Sequence, residues 1–385
     1  MRIIYYTQPF FSDCDFPLIR ELQKRNLKLR VYIPLQECHI HSGIIEVSKL
    51  KKHIGIYKAS QYEDFKIFDG LLDLKNIYII NLPNNRSHIS DRIIWIAVFL
   101  HMLLFRPQVF HFNWHFSGRQ RWLLKLPVRK CMTVHDPVSH SSVTNENEEK
   151  QRIEAFLSSD RFLLLSDALK KEFSEKYNII GTRIDLTHLG EYSFLRYIDA
   201  SSSKYPYPYV LFFGQIQSHK GIEYLCQAMT QVHRVYPNIH LIIAGRGDLY
   251  FDFSEYANLS YINLINDFIS ARQLSALLKN ALFAVCPYKD ATQSGVVQTA
   301  FSCDTPLIVT NVGNMMKVVH HEETGLVVPP CDVNSLGEAM IELIGKPEKL
   351  NRFKVNIKEQ WRPSMGWYSI ADDYICTYRR LLNER

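Results

Sequence analysis

A run of small polar residues, Thr292-Gln293-Ser294-Gly295, stands between an apolar strand-like segment and a helical pattern that continues through Val296. The first N–H groups of a helix lack partners and the helix dipole is positive there, so this placement suits a phosphate. The same residues also make an ordinary N-cap, and only their surroundings separate the two readings. Three other strand ends in the same half carry glycine and polar groups: Gly214-Gln215 through Lys220-Gly221, Gly245-Arg246-Gly247-Asp248, and Asn266-Asp267-Phe268-Ile269. Lys220 opens a helical segment, where its ammonium could meet a phosphate. The loop is not a Walker A, because neither Ser nor Thr follows Lys220, and Gly245-x-Gly247 lacks the third glycine of a dinucleotide fingerprint. Asp290 and Arg246 add charge at these edges. Four such edges in order describe a nucleotide cleft.

In the first half the candidates are His111, Trp114 and His115 in QVFHFNWHF, and His135 at the end of KCMTVHD. His111 and Trp114 could line an acceptor cleft, although aromatic residues in strands more often fill cores. His135 could serve chemistry or simply bond Asp136.

Short β-rich apolar runs alternate with helical stretches to position these residues. RIIYY (2–6), LKLRVYI (27–33), NIYIINL (76–82), QVFHFNW (108–114), KCMTVHD (130–136), RFLLLS (161–166) and RIDLTHLG (183–190) read as strands. After a Ser- and Pro-containing stretch at 197–208 the rhythm restarts with YVLFFG (209–214), IHLIIAG (239–245) and LSYINLI (259–265). Such alternation predicts βαβ units and parallel sheets covered on both faces, with ligands beyond the carboxyl ends of the strands. The division expected is 1–196, 209–365 and a terminal helix, 366–385, packed back on the first domain through Trp367, Ile370, Ile375, Tyr378, Leu381 and Leu382.

Charge is unevenly placed. Residues 1–200 hold 28 Lys+Arg against 22 Asp+Glu, a difference of +6, while residues 201–385 hold 17 of each. A modest basic excess on one half suits a phosphorylated or membrane-bound partner and is too small to argue for nucleic acid. The eight cysteines show no CxxC pair and no histidine spacing suited to zinc, which fits free thiols in a reducing cytoplasm. The N-terminus has the pattern of a strand and not of a signal peptide. IIWIAVFLHMLLF (93–105) is too short to span a bilayer; it reads as a core helix or, with Arg92 and Arg106 beside it, as a helix resting on a membrane face.

The order FFG-x5-KGIEYL, LIIAGRG, CPYKDATQSGVVQTAFSCDTPLIVTNVG and HEETGLVVPPCD resembles the retaining nucleotide-sugar glycosyltransferases of family 4. VFHFNWHF (109–116), TVHDPVSH (133–140), LLLSDALKKEF (163–173) and THLGEY (187–192) resemble them more loosely. The resemblance implies a GT-B fold, an α/β architecture of two doubly wound Rossmann-like domains facing a central cleft, with the C-terminal helix crossing back. It implies sugar transfer from a nucleoside diphosphate to a glycan or lipid-linked acceptor held by the N-terminal domain. Anomeric configuration is kept, and neither cofactor nor metal is needed. Surface polysaccharide assembly, in the cytoplasm or on the inner membrane face, is the implied setting.

Residue by residue, Lys220 corresponds to the basic group that neutralises the donor diphosphate, while Gly214, Gln215, Thr292, Gln293, Ser294, Gly295 and Val296 lie on the donor loops. Asn266, Phe268 and Ile269 lie near the base, and His135 faces the transferring sugar. The chain also departs from the pattern. Gln215 stands where many relatives have Arg, and Arg246 is the candidate replacement. The family's glutamates, eight positions apart, are absent: alignment puts Ala291 and Thr299, or Thr292 and Ala300, in their places. Asp290 is the nearest carboxylate. The ATQSG loop is read as a subgroup trait, and TQPFFSDCDF lacks the usual Gly-Gly pair. A non-catalytic partner subunit that binds nucleotide sugar is the alternative; a dehydrogenase is a third reading, weak without GxGxxG.

Overall fold

The structure is a computed structural model that describes residues 1–37, 41–82, 84, 87–135, 146–167, 170–198, 204–291, 295–313 and 315–383. The chain divides into two compact units, Met1–Gly190 with Trp367–Arg385, and Glu191–Gly366.

The first unit is built on an eight-stranded sheet. Its strands are β1 (Arg2–Tyr6), β2 (Lys28–Leu35), β3 (Gly55–Lys58), β4 (Ile77–Asn81), β5 (Val109–Phe112), β6 (Arg129–Val134), β7 (Arg161–Leu164) and β8 (Ile184–Leu186). In space they run β8-β7-β6-β5-β1-β2-β4-β3, all pairs parallel except β3 with β4. The antiparallel edge strand β3 has no counterpart among the strands read from the sequence; its four residues are too few to show a period. Tyr5 and Val31 are fully buried beside His111, which is why these strands read as continuous apolar runs and not as alternating ones. The order reverses between β1 and β5, so the loops after them, beginning at Thr7 and Asn113, meet at one edge.

Two helices matter here. In α1 (Ser12–Gln23), Phe16, Ile19 and Leu22 are buried, and α2 (His88–Leu104) buries Ile94, Trp95, Val98 and Met102. The terminal helix, Trp367–Asn383, belongs to this unit. It buries Trp367, Ile370, Ile375, Tyr378 and Leu381, and Asp373 accepts a 2.7 Å hydrogen bond from Thr187 Oγ1. Among the described residues no helix is long and apolar enough to cross a membrane.

The break between the units falls at Gly190–Glu191, upstream of the 197–208 segment that composition singles out. Phe194 and Leu195 are buried, and Ser275 Oγ donates to the Leu195 carbonyl at 2.8 Å. Those anchors tie 191–198 to the second unit, so the first unit closes before 196.

The second unit carries six parallel strands. They are β9 (Tyr209–Phe213), β10 (His240–Gly245), β11 (Ile262–Asn266), β12 (Ala284–Cys286), β13 (Leu307–Thr310) and β14 (Gly325–Val328). Their spatial order is β11-β10-β9-β12-β13-β14, so the direction of winding reverses between β9 and β12. A crevice opens at such a reversal because successive connections leave on opposite faces. Here it brings the loop from Gly214 beside the loop that follows Cys286. This unit also holds the helices α3 (Ile222–Val235), α4 (Ala271–Asn280) and α5 (Gly295–Ser302).

Candidate functional site

Backbone packing joins the strand-end loops of the second unit. A Cβ on Gly245 would lie within the carbonyl of Gly214, and Ile216 N–H donates to the Arg246 carbonyl at 3.0 Å, so the loops after β9 and β10 lie directly on one another. Gly221 has φ +64°, the left-handed region that glycine tolerates, and its α-carbon faces the Pro287 carbonyl. Lys289 N–H donates to the His219 carbonyl at 2.8 Å, which closes the contact with the loop after β12. The Val296 side chain at the head of α5 lies 3.7 Å from where a Gly214 Cβ would stand. Gly214, Gln215, Lys220, Arg246, Gly295 and Val296 thus share one end of one sheet.

Within this cluster Lys220 stands apart electrostatically. Its ammonium sits 3.9 Å from the centroid of the Tyr288 ring, and desolvation draws its pKa below the ordinary lysine value. The nearby carboxylate, Glu223, is taken: it pairs with Lys289 at 2.9 Å and accepts from Tyr250 Oη. Among the described residues Lys220 has no ion-pair partner. A half-buried cation without an ion-pair partner among the described residues, at a topological switch point, has the chemistry to hold an anion.

The remaining candidates differ in placement. Arg246 and Asp290 are exposed and form no ion pair among the described residues, and Gln215 accepts from Gln217 Nε2 at 3.0 Å. The Asn266 carboxamide accepts from Gly247 N–H at 3.1 Å and donates to the Gly247 carbonyl at 3.0 Å, which fastens the β10 turn. Phe268 N–H caps onto Asp267 at 2.7 Å. Ile269 lines a separate cavity of about 520 Å³, with Tyr205, Ile265, Ser270 and Arg272. Thr292, Gln293 and Ser294 lie outside the described residues.

Tyr192 had no signal of its own in the sequence beyond its place in THLGEY. A Cβ on Gly295 would come within 2.9 Å of its ring, so the aromatic ring rests against the head of α5. Gly295→Ala is expected to displace that ring and cost about 1–3 kcal/mol of stability. Adding Tyr192→Ala should relieve the clash and restore part of it, as urea titrations of parent, single and double variants can show.

In the first unit, His111 is a core residue and not an acceptor contact. It is fully buried, stacked on Tyr5 at 4.7 Å, with Nε2 2.9 Å from Thr133 Oγ1 and Nδ1 3.0 Å from Tyr378 Oη. Both ring nitrogens are therefore satisfied inside the sheet–helix layer. Trp114 is better placed: it meets Phe10 edge-on at 5.8 Å and lines a cavity of about 180 Å³ with Gln8, Gln36, His115 and Gln120, near the switch of that sheet. His135 stacks on Phe11 at 4.0 Å, and its Nε2 is buried with no partner among the described residues. Asp136, its expected partner, lies outside them.

Sequence reasoning missed Asp15, whose carboxylate accepts from Tyr5 Oη at 2.9 Å, from Thr7 Oγ1 and from Asn113 Nδ2. In sequence it reads as an acid in a helix's first turn; only the strand order brings Thr7 and Asn113 to it. Atoms of Cys14, Asp15 and His135 lie within 4.8 Å of one another, as a metal site would require. The donors do not fit one. Burial, followed by the Asp15 and Asp13 charges, raises the Cys14 thiol well above its ordinary pKa. The thiol also donates to the Phe11 carbonyl at 3.2 Å, and both Asp15 oxygens already accept hydrogen bonds. Metal binding needs a thiolate and free lone pairs.

These groups set opposing pH dependences. Burial pushes the Asp15 carboxyl from 3.8 up to about 7 and holds His111 and His135 down at about 3. The folded chain keeps a proton on Asp15 that the unfolded chain has released, so that stabilisation is full below about pH 4 and is lost as pH rises through 7. The histidines act oppositely, removing stability as pH falls below 6.5. Asp15→Asn leaves the histidine penalty unopposed. Its unfolding free energy should fall by up to about 2 kcal/mol more than the parent's between pH 7 and 5. Urea titrations at both pH values measure this, and equal falls would contradict it.

Two Rossmann-like α/β units with parallel sheets define the GT-B fold class. Sucrose-phosphate synthase from Thermosynechococcus elongatus superposes with a TM-score of 0.67 at 18% identity over 100% of both chains. An Anabaena protein solved with UDP and glucose gives 0.64 at 12% identity, over 99% of this chain and 100% of that one. At these identities the likeness shows the fold.

Residues 196–360, which lie within the second unit and make up less than half of the chain, match the family Glycosyl transferases group 1. An uncharacterized glycosyltransferase of Methanocaldococcus jannaschii is 27% identical over 173 residues, 44% of each chain. The matched stretch therefore spans less than half the length of that relative.

Proposed function

We propose that this protein is a metal-independent glycosyltransferase, moving a sugar from a nucleoside-diphosphate donor to an acceptor with retention of anomeric configuration. The observation that carries this reading is the uncompensated Lys220 ammonium at the switch of a glycosyl transferases group 1 domain. Cleavage of the anomeric bond leaves growing negative charge on the diphosphate. A fixed cation and the N–H groups at the head of α5 stabilise that charge more in the transition state than in the bound donor. Lys220 and Gly214 would meet the diphosphate, with Arg246 and the 292–294 loop as further donors to it. Asp290 would contact the sugar, and His135, neutral through burial, would face it with its free Nε2.

The acceptor would be held by the first unit, where Trp114 lines the cavity near the switch. We propose a glycan or lipid-linked intermediate of surface polysaccharide assembly, handled at the inner face of a membrane. Nucleotide sugars should raise the melting temperature, because a ligand that binds only the folded form stabilises it. A panel of uridine, guanosine and adenosine diphosphate sugars tests this; no shift with any of them would defeat the reading. Stabilisation without turnover over a broad acceptor panel would favour a donor-binding partner subunit, the reading suggested by Gln215 and the absent glutamate pair.

A further inference from the structure

The helix α2 buries one apolar face and exposes another. At about 100° per residue, Ile89, Ile93, Ile96, Leu100, Leu103 and Leu104 fall within an arc of about 100°, opposite the buried Ile94, Trp95, Val98 and Met102. The six are 69%, 61%, 45%, 50%, 37% and 80% exposed, in that order, so the stripe is continuous and not a scatter of single apolar residues.

The charge around the stripe is one-sided. Between Ser87 and Lys130 the chain has seven basic residues (92, 106, 119, 121, 125, 129 and 130) and one acid, Asp91. Asp91 is neutralised by Arg119 at 2.7 Å, from the segment Gly118–Lys125 that packs on α2. Arg92 is exposed at the edge of the stripe, three residues after Ile89 and four before Ile96, and Arg106 is exposed just past the helix end. Neither these two nor Lys125 has an ion-pair partner among the described residues. A second copy of the chain would set this cationic excess against itself, and like charges facing one another oppose association. An apolar stripe rimmed by cations matches an anionic lipid surface, which takes the side chains below its headgroups and the cations among them.

We propose that α2 lies in the interface of an anionic bilayer, with the 89–104 stripe inserted and Arg92, Arg106 and Lys125 on the headgroups. The proposal deepens the membrane part of the proposed function and rests on that part alone. The test is co-sedimentation of the full chain with vesicles of equal parts phosphatidylglycerol and phosphatidylcholine, against vesicles of phosphatidylcholine only. The parent should bind the anionic vesicles at least tenfold more tightly, less so at high salt. The variant Ile93→Glu/Leu100→Glu/Leu104→Glu should lose at least tenfold, with an unchanged melting temperature. Should that variant fail to fold, Leu104→Glu alone, at the most exposed position, should still lose severalfold. Absent binding by the parent, or undiminished binding by the folded variants, overturns the proposal. So does a dimeric parent that the substitutions render monomeric, because a second copy then covers the stripe. Thermal shifts with nucleotide sugars, run on the same samples, separate the two readings: lipid binding without any such shift would defeat donor binding and leave the lipid face standing.

Discussion

Lys220→Met should lower kcat/KM for sugar transfer by about 10²–10³, equivalent to about 2.7–4 kcal/mol of transition-state stabilisation. Methionine keeps an unbranched stem against the Tyr288 ring and removes only the charge. The folding cost should stay near 1 kcal/mol, the usual scale of a cation–π contact with an aromatic ring. The loss should fall mainly on kcat, because charge on the leaving diphosphate grows only as the anomeric bond breaks. Glu223 cannot distort the outcome by gaining a partner, since Lys289 and Tyr250 already occupy it. Steady-state kinetics with the most stabilising nucleotide sugar decide the matter. Activity within threefold of the parent would remove Lys220 from the site.

Gly245→Ala should be the most damaging single-atom change in the second unit. Its methyl group would occupy the place of the Gly214 carbonyl, a backbone atom held by the Gly214 N–H bond to Ala244 at 3.0 Å. Neither strand can yield without parting the loops after β9 and β10. A loss of about 3 kcal/mol or more is expected, on the scale of overpacking a rigid site. For a unit of this size that lowers the melting temperature by about 6–12 °C. Gly181→Ala is the control: nothing lies within 4 Å of its would-be Cβ, and it should change stability by less than about 0.5 kcal/mol. Equal melting temperatures for the two variants would show that the loops are not packed as described.

The second unit was the more legible half of the chain. Its strands are short apolar runs, three of them with glycine at an end (Gly214, Gly245 and Gly325), and parallel order follows once helices alternate with them. Lys220 and the residues around Gly214 and Gly221 come together because all lie in the loop between the end of β9 at Phe213 and the start of α3 at Ile222, a placement that their order in the sequence already indicates. What escaped reading depends on facts with no local trace. Asp15 needs β1 and β5 to be neighbours before Thr7 and Asn113 can reach it. His111 looked like a cleft residue because its two partners, Thr133 and Tyr378, are 22 and 267 residues away. That Asn266 fastens the β10 turn has no local trace, because a carboxamide at a strand end is the same residue whether it binds a base or a turn. For α2 the composition supported a core helix and a surface helix alike; the structure gives it both faces.

A crystal structure of the protein with the nucleoside diphosphate that stabilises it most would show where the diphosphate rests. Phosphate oxygens should lie about 3 Å from Lys220 Nζ, beside Gly214 and the first turn of α5. A nucleotide seated in the cavity of Tyr205 and Ile269, with the Lys220 ammonium still over the Tyr288 ring, would contradict the account.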